Sequence, residues 1–156
     1  MKIYFDMDGV LSDYEAGYNL LYPNADINNK PELDKNKETF AKNKFFETLP
    51  VIQPGFKLLL DCYNLGFDVE ILTAVGDNDL EENTRQKFIW IQQNVPFNIK
   101  FNAVKKAKDK AIYANENTLL IDDRIKSITP FEQAGGKCYF FTLNSKIEDL
   151  FLQFKI

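Results

Sequence analysis

Two rhythms of apolar and polar positions alternate along this chain. Short runs dominated by apolar residues, Lys2–Phe5, Asp68–Thr73, Asn98–Phe101, Thr118–Ile121 and Lys137–Phe141, predict β-strands. Several are apolar almost throughout, as suits strands covered on both faces. Between them the apolar residues recur at helical spacing. Pro54-Gly55 opens a helix that carries Phe56, Leu59, Leu60 and Tyr63 at i, i+3, i+4 and i+7, and Gly66 ends it. Asp77-Asn78-Asp79 offers caps for a second, running through Phe88 and Ile91 to about Asn94, with Pro96 beyond. Thr129-Pro130-x-Glu132 combines a capping box with proline at a first helical position, and Gly135-Gly136 closes that turn. Ser145 and Glu148 read as another capping box, ahead of Ile147, Leu150, Phe151 and Phe154 on one face. Strand and helix in repeated succession predict an α/β fold, a Rossmann-like parallel sheet of about five strands with helices on both faces.

Residues 14–52 break this rhythm. A helical stretch from Tyr14 to Tyr22 leads into a polar segment from Pro23 to Lys37, then a second candidate helix near Glu38–Phe46, with no clear strand. Ser12 and Glu15 resemble a capping box for the first of these helices. The segment reads as a small helical cap inserted after the first strand. The whole chain of 156 residues then fits one domain, 1–156, with the cap at about 14–52.

Composition narrows the function classes. A formal net charge of −4 argues against a dedicated nucleic-acid binder, which carries a basic surplus. No run reaches transmembrane length, and Met1–Asp6 lacks the apolar segment of a signal peptide. Cys62 and Cys138 show neither metal-ligand spacing nor a disulfide framework, so a reducing cytoplasm is the expected location. The chain has no histidine, which excludes Ser-His-Asp and Cys-His catalysis and His-ligated zinc. Acid–base work falls to carboxylates, lysine, tyrosine or water.

That absence gives weight to Asp6-Met7-Asp8-Gly9-Val10, directly behind the first strand. Two carboxylates one residue apart suit magnesium-assisted phosphoryl transfer: one attacks phosphorus, the other donates and accepts a proton, and a hard cation offsets the crowded charge. Alone, such a pair also ends strands and caps helices. In an open α/β sheet, however, ligands bind beyond the carboxyl ends of the strands, so the residues following each strand test the idea. They are Asp6 and Asp8; Thr73; a stretch holding Lys105, Lys106, Lys108 and Lys110; and Asp122-Asp123. A carboxylate pair, a hydroxyl, an ammonium and a second carboxylate pair are thus expected at one edge.

This order resembles the haloacid dehalogenase (HAD) superfamily of aspartate-nucleophile phosphohydrolases from Ile3 to Phe141. Within it, Asp6–Tyr14, Ile71-Leu72-Thr73-Ala74, Leu119–Arg124 and Ala134-Gly135-Gly136 look like the 5′(3′)-deoxyribonucleotidase family. The resemblance implies Asp6 as nucleophile and Asp8 as acid and base, its backbone carbonyl touching Mg²⁺. It implies Asp123 as the side-chain metal ligand beside Asp6, with Asp122 behind it, the reverse assignment of the two remaining open. Thr73 and the Ala74 amide would hold phosphoryl oxygens. One of the four lysines would neutralise the phosphate. Lys110 is the choice, at the start of a short helix, with Lys108 next. Tyr14 would stack on a nucleotide base, and Phe45 and Phe46 resemble the aromatic pair ending the family's cap. The expected activity is Mg²⁺-dependent hydrolysis of nucleoside monophosphates, pyrimidine deoxynucleotides first. Two alternatives remain: another small phosphomonoester such as a sugar phosphate, and a non-catalytic binding protein on the same fold.

Overall fold

The computed structural model describes all residues, Met1–Ile156. Strands β1 (Lys2–Phe5), β2 (Asp68–Ala74), β3 (Lys100–Val104), β4 (Thr118–Asp122) and β5 (Lys137–Phe140) pair in parallel, in the order β3-β2-β1-β4-β5. Strand order therefore reverses at β1 and β4, which lie side by side with Phe5 opposite Ile121. A crevice forms beyond the carboxyl ends of strands at such a point.

Both faces of the sheet are covered, because successive strand side chains point to opposite sides. On one face Ile3, Phe5, Ile71, Leu119 and Ile121 join a core with Leu58, Leu59 and Cys62 of α3 (Gln53–Asn64), Trp90 of α4 (Leu80–Asn94) and Leu150 of α6 (Ile147–Phe154). On the other, Tyr4, Leu72 and Leu120 meet Ile128 and Phe131 of α5 (Ile125–Gln133). A 3₁₀ segment, Ala107–Tyr113, packs on that side against α5. No helix is long and apolar enough to cross a membrane.

Between β1 and α3 the chain forms α1 (Tyr14–Leu21), α2 (Lys30–Lys37) and a 3₁₀ turn, Phe46–Thr48, with no strand of the sheet. The second helix is not at 38–46 but one segment earlier. Asn29 caps it through the Glu32 amide, and Pro31 stands in its first turn. Residues 38–46 instead fold as turns, with Lys44 left-handed. That geometry brings Phe40 and Phe45 face to face, centroids 3.9 Å apart, with Phe46 edge-on to both. These phenylalanines and Tyr18 belong to the same apolar cluster as Ile3, Phe5 and Leu59.

Other ends also differ from expectation. β3 starts at Lys100 rather than Asn98 and continues to Val104, because Thr73 and Ala74 of β2 extend the pairing. α5 begins at Ile125, straight after β4, and carries Pro130 inside it; the carbonyl left without a partner is that of exposed Lys126, where water can serve. Neither serine capping box forms. Asp13 caps α1 by accepting from the Ala16 amide, and the Asp149 carboxylate accepts from the Lys146 amide before α6. Ser145 Oγ instead accepts from the Thr142 amide, 2.8 Å away.

Candidate functional site

The loop after β1 folds tightly on itself. The Met7 carbonyl accepts from the amides of Val10, Leu11 and Ser12 at 3.1, 2.8 and 3.0 Å. Gly9 has φ +88°, a region that side chains disfavour, and a Cβ there would lie 2.1 Å from Asp123 Oδ2. Behind the loop, a Cβ on Gly55 would lie 1.7 Å from the Val10 carbonyl oxygen, so the first turn of α3 presses directly on it.

This loop meets the end of β4 at the switch point. The Asp6 amide donates to the Ile121 carbonyl at 3.0 Å, which sets Asp6 beside Asp122. Lys110, from the 3₁₀ segment after β3, inserts between them and is only 2% exposed. Its Nζ donates to Asp6 Oδ1 at 2.7 Å and to Asp122 Oδ2 at 2.6 Å. The other oxygen of Asp122 accepts from the Arg124 amide at 3.0 Å, so both of its oxygens are engaged. Asp123 is different: its Oδ1 is buried with no partner.

Carboxylate oxygens of Asp6, Asp122 and Asp123 lie within 4.8 Å of one another. Fully ionised, three carboxylates against one ammonium would carry a formal charge of −2, the charge that one divalent cation balances. Burial, then the neighbouring Asp122 charge, pushes the Asp6 carboxyl well above its ordinary range against the pull of Lys110. The same two causes raise Asp123 to about 6. Lys110 is raised too, because its two carboxylates outweigh its burial. An orphaned buried oxygen among the crowded hard-oxygen donors of Asp6, Asp122 and Asp123 is a donor set that fits a hard divalent cation such as Mg²⁺.

Asp8 lies at the mouth, with each carboxylate oxygen held. Ser12 Oγ donates to Oδ1 at 2.9 Å and Lys87 Nζ to Oδ2 at 2.7 Å. Thr73 and Ala74, at the end of β2, stand beside them: Lys87 Nζ donates to Thr73 Oγ1 at 3.1 Å and to the Ala74 carbonyl at 2.7 Å. Asp6, Asp8, Thr73, Ala74, Lys110, Asp122 and Asp123 are thus brought together. Lys105, Lys106 and Lys108 are not buried with them. Lys105 forms a surface pair with Asp77 at 3.3 Å, and the other two are exposed.

Lys87 escaped the sequence reading. The buried positions of α4 are Asn83, Gln86, Lys87, Trp90 and Ile91, a stripe at i, i+3, i+4, i+7 and i+8. Phe88, read from the sequence together with Ile91 as an apolar position of this helix, is 42% exposed and packs edge-on to Phe101. A lysine in register with Trp90 and Ile91 was the available signal.

The cleft above these groups measures about 1310 Å³, more than the roughly 300–1,000 Å³ of ordinary ligand pockets. Tyr14, Phe40 and Phe46 line one wall. Tyr14 packs edge-on to Phe40 and Phe45, with centroids 6.0 and 5.1 Å away. Burial first, then the Asp8 charge, raises its hydroxyl far above the ordinary value. Lys30, Leu33, Asp34 and Lys37, one face of α2, form part of the rim.

No family model matches the sequence, and no curated protein is significantly similar to it. Solved structures do match. A HAD family enzyme from Bacteroides thetaiotaomicron, in complex with magnesium and inorganic phosphate, aligns with a TM-score of 0.56 at 16% identity over 96% of this chain and 98% of that one. An aspartate-to-alanine mutant of that enzyme, in the same complex, gives 0.57 at 14% identity over the same 96% and 98%. A HAD hydrolase of family IA, variant 3, from Entamoeba histolytica gives 0.55 at 14% identity over 97% and 88%. At these identities the likeness is one of fold: the chain has the architecture of HAD family enzymes over nearly its whole length.

Proposed function

We propose that this chain is a Mg²⁺-dependent phosphatase of the HAD superfamily that hydrolyses nucleoside monophosphates through an aspartyl-phosphate. The observation that carries this reading is the meeting of Asp6, Asp8, Thr73, Lys110 and Asp123 at the switch point of the sheet. An unpartnered buried oxygen lies there among three crowded carboxyl groups.

In the first step an Asp6 oxygen attacks phosphorus and the bond to the ester oxygen breaks. The electron pair leaves with that oxygen, which takes a proton from Asp8. In the second step a water oxygen attacks phosphorus and gives a proton to Asp8, and the bond to Asp6 breaks with its electrons returning to the carboxylate. Mg²⁺, when bound, screens the charge of the nucleophile and the phosphoryl group. Lys110 spends two of its three N–H groups on Asp6 and Asp122 and has a third for a phosphoryl oxygen. Such fixed charge is the main protein contribution to phosphoryl transfer.

Nucleotides are favoured by the width of the cleft and its aromatic wall. A smaller phosphomonoester, such as a sugar phosphate, is favoured by the edge-on enclosure of Tyr14 among Phe40 and Phe45. Phosphate release from a panel of nucleoside monophosphates and sugar phosphates, with and without Mg²⁺, separates the two. Clear preference for sugar phosphates ends the nucleotide reading. Equal turnover by wild type and Asp6→Asn removes Asp6 as nucleophile, and no turnover of any member leaves a binding protein.

A further inference from the structure

We infer that Lys87 is a positioning residue that aims the Asp8 carboxylate and the Thr73 hydroxyl at the substrate, and ties both to the helical segment through Phe46. The inference rests on the phosphatase reading above.

Lys87 is 1% exposed. Its Nζ meets three acceptors, Asp8 Oδ2 at 2.7 Å, the Ala74 carbonyl at 2.7 Å and Thr73 Oγ1 at 3.1 Å. An ammonium has three N–H groups, and all three are engaged. Over it lies the Phe46 ring, centroid 4.6 Å away, the geometry of a cation–π contact. Nothing remains on this nitrogen for a phosphoryl oxygen, in contrast to Lys110. Its work is therefore indirect. With Ser12 on Oδ1 and Lys87 on Oδ2, the Asp8 carboxylate has a fixed orientation. Thr73 Oγ1 accepts from Lys87, which leaves its own proton for a second acceptor at the end of β2. Phe46 belongs to the segment that walls the cleft, so one buried cation joins the proton donor, the phosphoryl-binding hydroxyl and the substrate wall.

The step affected is the proton transfer to the leaving oxygen as its bond to phosphorus breaks. An alkyl phosphate needs that proton, because an alkoxide is a poor leaving group. p-Nitrophenyl phosphate does not, because its phenolate leaves unaided. In Lys87→Met, kcat/KM, which reports formation of the aspartyl-phosphate, should fall by about 100-fold on an alkyl phosphate that the wild type turns over, the scale of one positioned general acid. On the aryl phosphate it should fall by less than about tenfold, the smaller loss that remains when no leaving-group proton is required. Binding of inorganic phosphate in the presence of Mg²⁺, followed by calorimetry, should weaken by no more than about tenfold, since the lost ammonium has no N–H to offer it and only the aim of Thr73 is relaxed. Equal losses on both substrates, or a phosphate affinity that falls in proportion, would overturn the inference.

Phe46→Leu guards against misfolding of the lysine variant, because it keeps the wall apolar and leaves the charge in place. It should lower kcat/KM on the alkyl phosphate by about three- to tenfold, in line with a lost cation–π contact, with little change on the aryl phosphate; an equal change on both counts against the coupling. An active wild type whose variants show no such difference sinks this role for Lys87 alone. A wild type inactive on every phosphomonoester sinks the phosphatase reading, and this inference with it.

Discussion

Replacing Asp123 by asparagine separates the cost of its charge from its use. Burial and the Asp122 charge raise the Asp123 carboxyl from 3.8 to about 6. At pH 7.5 without metal the folded protein therefore carries an unfavourable ionised group, and a shift of about 2 units is worth about 3 kcal/mol. Partial solvent access reduces this, so about 1.5–3 kcal/mol is a fair range. Asparagine keeps the shape and removes the charge. For a domain of this size each kcal/mol moves the melting temperature by about 2–4 °C, so in chelator at pH 7.5 Asp123→Asn should melt about 3–12 °C above wild type. Between its ordinary and its raised pKa this group binds more protons in the folded than in the unfolded state, so stability increases as pH falls through that window. At pH 5 the wild type should regain about 1.4 kcal/mol, which narrows the gap by about half. Magnesium should reverse the order at pH 7.5, because ligand at about 1,000 times its dissociation constant adds about 4.1 kcal/mol to the form that binds it. Thermal melts of both proteins, at two pH values, with chelator and with Mg²⁺, provide the measurement. A variant that melts below wild type in chelator at both pH values, or equal stabilisation of both by Mg²⁺, would refute the reasoning.

Gly9→Ala should lose the Mg²⁺-dependent rise in melting temperature, because its Cβ would occupy the place of Asp123 Oδ2, 2.1 Å away. A full metal response in that variant would show that the loop gives way. Trp90→Phe should lower unfolding free energy in urea by about 1–3 kcal/mol, since Trp90 Nε1 donates to the Leu49 carbonyl at 2.7 Å in a buried site. Tyr14→Ala should reduce kcat/KM for a nucleoside monophosphate by at least about fivefold more than for a small aryl phosphate, as expected from a lost base contact of roughly 1–3 kcal/mol. Equal reductions would take Tyr14 out of base recognition.

What was legible in the sequence follows from how local each signal is. Apolar runs ending in Asp6, Thr73 and Asp122 announce both the strand and the edge at which it stops, so the sheet and the convergence of acids could be read directly. Lys110 was readable only as one of four lysines, because its burial depends on Asp6, which is 104 positions away. Lys87 was not readable by charge at all: its partner Asp8 is 79 positions away, and a lysine on a helix ordinarily faces water. The place of α2 was hidden for a related reason. Phe40, Phe45 and Phe46 suggest a helix by composition, but they are gathered by a left-handed turn at Lys44 and by packing across the segment. The short caps failed where a better acceptor stood next door, as Asp13 does beside Ser12.

α2 lines the cleft yet contributes no buried side chain to the fold. Rim and cohesion thereby fall to different residues: the phenylalanines beneath hold the segment down, and α2 edges the cleft. Changes at Lys30 or Asp34 therefore carry little thermodynamic penalty, since exposed substitutions away from special features stay within about 0.5 kcal/mol. On the phosphatase reading proposed above, ligand preference can drift through these positions while the acidic cluster and the stability of the molecule stay as they are.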